Sequence, residues 1–148
     1  MNTHSSHGDE TARVDQPAPA LHAEVTLHHT ATVLHVRGEI DAANLPRWRT
    51  VLDDAIAAEG ESGNLVIDIR AVTFMSCRAI LDMATRAQQG TVRMRVVNPE
   101  QSVTNRIITA AGLTEWLPVY ASRTEAMAAG PTLNRSRHRS VSAATPWR

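Results

Sequence analysis

"VIDIRAVTFMSCRAILDMATRAQQG", residues 66–90, decides the fold. Its opening, read with Asn64 and Leu65 as "NLVIDI", is a short and nearly continuous apolar run. That is the pattern of a central strand covered on both faces. The run stops at Phe74 and Met75, and small polar residues follow. From Cys77 the period changes. Ile80, Leu81, Ala84 and Ala87 form one helical face that ends near Gly90. A strand therefore hands over to a helix at the only cysteine in the chain.

Working outward, the same two periods recur. "AEVTLHH" and "TVLHVRGEI" alternate apolar and polar residues, Val25 with Leu27 and then Val33 or Leu34 with Val36, as half-buried strands do. "HHTA" between them predicts a tight turn and an opening hairpin. In "NLPRWRTVLDDAIAAEG" the residues Leu45, Trp48, Val51, Leu52, Ala55 and Ile56 share one helical face. Asn44 is placed to cap that helix, Pro46 suits its first turn, and Gly60 suits its end. Downstream, "TVRMRVVN" alternates as a strand, and "PEQSVTNRIITAAG" predicts a helix with Val103, Ile107 and Ala111 on one face and Gly112 at its end. "EWLPVYA" reads as a short edge strand, because proline cannot donate to a ladder. Ser122 followed by Glu125 gives a capping-box pattern for a last helix.

The predicted order is β-β-α-β-α-β-α-β-α. Strands alternating with helices of this length build an α/β domain with a mixed, mostly parallel sheet, here opened by a β-hairpin and carrying about four helices. The chain has 148 residues, 43% of them hydrophobic and 20% charged, which fits one globular core over residues 22–129. Residues 1–21 and 130–148 lack apolar periodicity and are expected to be disordered tails, the second one arginine-rich.

Composition also excludes function classes. No apolar run approaches the ~20 residues of a membrane span. The first residues lack the apolar core of a secretory signal, and a lone cysteine makes no internal disulfide, so a cytoplasmic protein is expected. The 15 basic residues are all arginines, which removes any mechanism that needs a lysine amine. Four arginines in the C-terminal tail, without interleaved aromatic residues, make a poor nucleic-acid footprint.

The chemistry-bearing residues are few. "GESGN" has neither the lysine nor the spacing of a phosphate loop. His28 and His29 lack a nearby third ligand, so no metal site and no cofactor are expected. His35 alternates with apolar neighbours and reads as a packed or surface histidine. Cys77 lies where backbone N–H groups and the helix dipole favour a thiolate, with Arg78 beside it. Three readings stay open for it: a small, half-buried residue at the helix start, a redox-sensitive thiol, or a nucleophile. "RGEID", residues 37–41, offers either paired carboxylates at Glu39 and Asp41 or an aspartate that starts the loop into the first helix.

"VRGEIDAANLPRWRTVLDDAI", "NLVIDIRAVTFMSCRAILDMATRA" and "VRMRVVNPEQSVTNRIITAAGLTEWLPVYAS" resemble the STAS domain, in particular the anti-sigma factor antagonists of bacteria. The resemblance spans residues 22–129 and rests on the ordered combination of Gly38-Glu39-Ile40-Asp41, "LVIDI", "VTFM" and "AGLTEWLPVYAS". It implies a non-catalytic regulatory domain. Such a domain docks on an anti-sigma factor, usually a histidine-kinase-like ATPase, and frees a sigma factor for transcription.

In many members a serine in Asp-Ser-Ser/Thr-Gly at the start of the second helix is phosphorylated. That adds nearly two negative charges to the docking surface. Here the four positions read Ser76, Cys77, Arg78 and Ala79. Cys77 replaces the phospho-serine, and Ser76 is a hydroxyl one residue out of register. The resemblance implies partner contacts by Asp41, Ser76, Cys77 and Arg78. Three outcomes follow from it: an antagonist without the usual serine switch, an antagonist with redox control at Cys77, or a non-catalytic STAS subunit of a transporter or signalling assembly.

Overall fold

A computed structural model describes residues 20–59 and 63–129. The tail readings for residues 1–19 and 130–148, and the helix end expected at Gly60, lie outside these residues. Five strands form one sheet: β1 (His22–Leu27), β2 (Thr32–Ile40), β3 (Asn64–Met75), β4 (Arg93–Val97) and β5 (Val119–Tyr120). Their spatial order follows the sequence, β1-β2-β3-β4-β5. The opening pair is antiparallel and the other three pairs are parallel. Four α-helices connect or close the sheet: α1 (Leu45–Ala58), α2 (Cys77–Gln88), α3 (Val103–Ala110) and α4 (Arg123–Ala128). A 3₁₀ turn, Ala42–Asn44, precedes α1. This is the predicted element order.

The two faces of the sheet are covered differently. Leu34, Val36, Ile67, Ile69, Met94 and Val96 share one core with Trp48 and Leu52 of α1, Ile80 and Met83 of α2, and Ile108 of α3. On the other face, Val33, Val66 and Val97 form a smaller cluster with Ala31, Tyr120, and Ala126 and Met127 of α4. Period-two alternation within each strand sends neighbouring residues to opposite sides.

Several sequence expectations need correction. Val25 and Leu27 are exposed, at 39% and 65%, because no helix covers the β1 edge fully. Leu21, read as the end of the tail, is buried in the core at 4% exposure. Leu81 is 46% exposed, since the buried face of α2 runs through Ala79, Ile80, Met83, Ala84 and Ala87. On α3, Val103 and Ala111 face outward and Ile108 is the buried residue. An apolar residue at helical spacing is ambiguous by one step in the wheel, and packing against α2 and the sheet settles which residue is buried. Asn44 makes no side-chain cap on α1. Glu125 reaches back to the Ala121 N–H, while Ser122 Oγ accepts from the Glu125 N–H as expected. The short edge strand is β5, in which only Val119 and Tyr120 pair and Pro118 lies just before them. Gly90 and Gly112 take positive φ just beyond α2 and α3, as their positions suggested.

Candidate functional site

Parallel strands that each feed a helix bring their connections to one end of the sheet. The connections after β2, β3 and β4 therefore share that end and carry Asp41, then Ser76 to Arg78, then Ser102 and Val103.

The first connection is held by its own side chains. Asp41 Oδ1 accepts from the N–H groups of Ala43 and Asn44, at 3.0 and 3.2 Å. Asn44 Oδ1 accepts from the Asp41 N–H at 2.9 Å, and Asn44 Nδ2 donates to the Glu39 carbonyl at 2.8 Å. This reciprocal arrangement is a capping box. It supports the loop-starting role for Asp41 over a pair of catalytic carboxylates. Asn44, expected to cap α1, serves the 3₁₀ turn instead. Upstream, Gly38 has φ +107°, and a Cβ there would stand 1.9 Å from the Ala20 carbonyl oxygen. Only glycine allows the chain entering β1 to cross so closely.

The second connection is shorter. The Ser76 N–H donates to the Ile40 carbonyl at 2.9 Å, which places the two connections side by side. Ser76 is the N-cap of α2, its Oγ accepting from the Ala79 N–H at 3.2 Å. Buried Trp48 of α1 donates from Nε1 to the Ala79 carbonyl at 3.1 Å and so fixes where α2 begins. Arg49 to Asp82 and Arg86 to Asp53, at 2.9 and 2.7 Å, join α1 and α2 further along. The hydrogen bond from Arg86 holds the Asp53 carboxyl below the usual carboxylate range. Such surface pairs fix orientation more than they stabilise.

These constraints leave Cys77 and Arg78 exposed at the first helical positions. Of the three readings open for Cys77, the half-buried residue does not hold. Met75 and Ala79 fill the buried positions on either side of it. Arg78 has no ion-pair partner among the described residues. Leu81 lies one turn beyond Cys77 on the same side of α2. With Phe74 at 50% and Val103 at 62% exposure, it gives this end of the sheet three large exposed apolar side chains. Exposed apolar groups beside a free cation suit a docking surface. Sequence reasoning placed Leu81 and Val103 in the core, and did not single out Phe74. It also missed the third connection, where buried Asn98 donates from Nδ2 to Ser102 Oγ at 2.7 Å and Ser102 caps α3. The spacing from Ser102 to Asn105 was the available signal.

Among the described residues no group of three or more His, Cys, Asp or Glu side chains could hold a metal ion. No described helix is long and apolar enough to cross a membrane.

The STAS domain model matches residues 22–126, which span all five strands. The chain belongs to the STAS domain family. The anti-sigma-F factor antagonist RsfA of Mycobacterium tuberculosis is 35% identical over 113 residues, covering 74% of this chain and 88% of that protein. Among solved structures, an anti-sigma factor antagonist from Mycobacterium paratuberculosis superposes with a TM-score of 0.64 at 24% identity, covering 73% of this chain and 92% of that one. The unphosphorylated anti-sigma factor antagonist SpoIIAA gives a TM-score of 0.54 at 18% identity, covering 79% and 97%. Both share the fold seen here.

Proposed function

We propose that this STAS domain is an anti-sigma factor antagonist. It binds an anti-sigma factor, of the histidine-kinase-like ATPase type that the family resemblance implies, and thereby releases a sigma factor for transcription. The observation that carries this reading is the relation to RsfA, an antagonist of 35% identity over most of both chains. The exposed surface at the starts of α2 and α3 supports it. Cys77, Arg78, Leu81, Phe74 and Val103 are the contact residues, with Ser76 and Asp41 beside them. Free Arg78 calls for an acidic group on the partner. The domain acts by binding and carries out no chemistry of its own.

The usual serine switch does not operate at position 77, because a thiol is not the acceptor of a serine/threonine kinase. Exposure of the thiol supports redox control in its place, since oxidation there adds bulk at the docking surface.

Coprecipitation of the full chain with each anti-sigma factor of the same cell tests the reading. At least one is expected to bind reduced protein, and peroxide is expected to weaken that binding in wild type but not in Cys77→Ala. Binding of none, with Cys77 reduced or oxidised, contradicts the antagonist reading and favours a STAS subunit of another assembly. Equal weakening in both proteins removes Cys77 from control, and phosphate incorporation lost in Ser76→Ala would restore a phosphorylation switch.

A further inference from the structure

The sheet face opposite α1, α2 and α3 is only half covered. The six residues of α4 pack over β3, β4 and β5 and leave the β1–β2–β3 side open. An apolar strand pattern does not continue there. Glu24 pairs in register with His35, and His35 with Asp68. His22 pairs with Arg37 in a neighbouring row. Registered partners on adjacent strands share a face. These side chains and Arg70 line an open cleft of about 610 Å³, whose lining also includes Val36, and Arg47 of α1, so it is not confined to that face.

Asp68 organises the cleft floor and is only 7% exposed. Arg70 donates to it twice from its guanidinium, at 3.0 and 2.8 Å, and once from its backbone N–H, at 3.1 Å. His35 Nδ1 and Arg123 Nε stand 3.8 and 3.9 Å away. Burial pushes the Asp68 carboxyl up, but the Arg70 hydrogen bonds and the Arg70 and His35 charges outweigh it, so the group is held below the usual carboxylate range. Two exposed arginines remain unused: neither Arg37 nor Arg47 has an ion-pair or side-chain hydrogen-bond partner among the described residues. Three arginines of its lining, Arg37, Arg47 and Arg70, face two carboxylates, Glu24 and Asp68. The surplus is one positive charge, and Arg123 stands beside Asp68 outside the lining.

We infer that this cleft binds a small phosphate-bearing anion. Its positive surplus and two unpaired arginines favour an anion, and a phosphomonoester carries nearly two negative charges near neutral pH. Free guanidinium forks match phosphate oxygens in pairs. The volume lies within the range of about 300–1,000 Å³ typical of small-ligand sites. The inference does not depend on the antagonist reading.

Amide shifts of the isotope-labelled full chain, titrated with inorganic phosphate and separately with glycerol 3-phosphate at fixed ionic strength, test it. Saturable shifts are expected at His35, Arg37, Arg70 and Ala71, with sodium chloride giving none. The double variant Arg37→Ala/Arg47→Ala should weaken binding at least tenfold at an unchanged thermal midpoint, because both residues are exposed. Glu24→Gln should tighten it several-fold by removing the unpaired carboxylate. Shifts no larger than those from chloride overturn the inference, as do shifts centred on Ser76 to Arg78 or on Ser102. So does a double variant that binds like wild type. Should that variant not fold, Glu24→Gln decides, and unchanged affinity there overturns the site.

Discussion

Between Ile40 and Leu45 the chain makes four side-chain hydrogen bonds to its own backbone, whereas between Met75 and Ala79 it makes one. The two connections adjoin each other through the Ser76 to Ile40 backbone bond. In the first, Asp41 and Asn44 satisfy each other and the turn, and Gly38 upstream admits a close crossing. In the second, a single serine caps the helix and the next two side chains, Cys77 and Arg78, point free. One connection consumes its polar groups to set a shape. The other borrows that shape, through Trp48 and Ile40, and keeps its side chains available to a partner.

Breaking the shared anchor should have the largest effect. Trp48→Ala removes a fully buried indole and its bond to the Ala79 carbonyl. It is expected to cost about 3–5 kcal/mol in chemical denaturation and to loosen hydrogen-exchange protection at the start of α2. A loss confined to α1 would separate the two connections. Gly38→Ala tests the crossing alone. Its Cβ meets backbone and its φ is unsuited to alanine, so a loss of about 1–3 kcal/mol is expected. Stability within error of wild type would show that the chain entering β1 moves aside easily.

Asp41→Ala comes next. Losing the cap should cost about 1 kcal/mol, seen as a lower thermal midpoint, with any loss of partner affinity accompanying it. Affinity lost at an unchanged midpoint would move Asp41 from shaping into direct contact. The smallest stability effect belongs to the open connection. Leu81→Asp and Arg78→Glu should stay within about 0.5 kcal/mol of wild type, yet weaken anti-sigma factor binding about tenfold or more, as measured by calorimetry. A large stability loss in either would mean that these side chains pack after all.

Much of this contrast was legible in the sequence. The order of strands and helices, the hairpin and the apolar face of α1 follow from periods of two and 3.6, and the edge position of β5 from the proline beside it. On α2, Ile80, Ala84 and Ala87 are buried as read and Leu81 is not, while on α3 Ile108 is buried more fully than Ile107, because Ile80 and Leu81, and Ile107 and Ile108, are equally apolar neighbours. Only the packing of α2 beside α1 and α3 chooses between them. Asp41 as a loop starter was visible, while its reciprocal bonds with Asn44 were not, since Asn44 also suited a cap on α1. The departure of "MSCRA" from the family motif was plain in sequence. That Cys77 is exposed depends on Met75 and Ala79 filling the buried positions around it, which is a property of the folded chain.

The most direct test of the central claim is a release assay. A preformed complex of anti-sigma factor and sigma factor from the same cell is mixed with the full chain, and free sigma factor is measured by transcription from its promoter. Wild type is expected to release sigma factor in proportion to its concentration, and Leu81→Asp to fail at an unchanged thermal midpoint. Release by neither protein from any such complex, or equal release by both, would contradict the account.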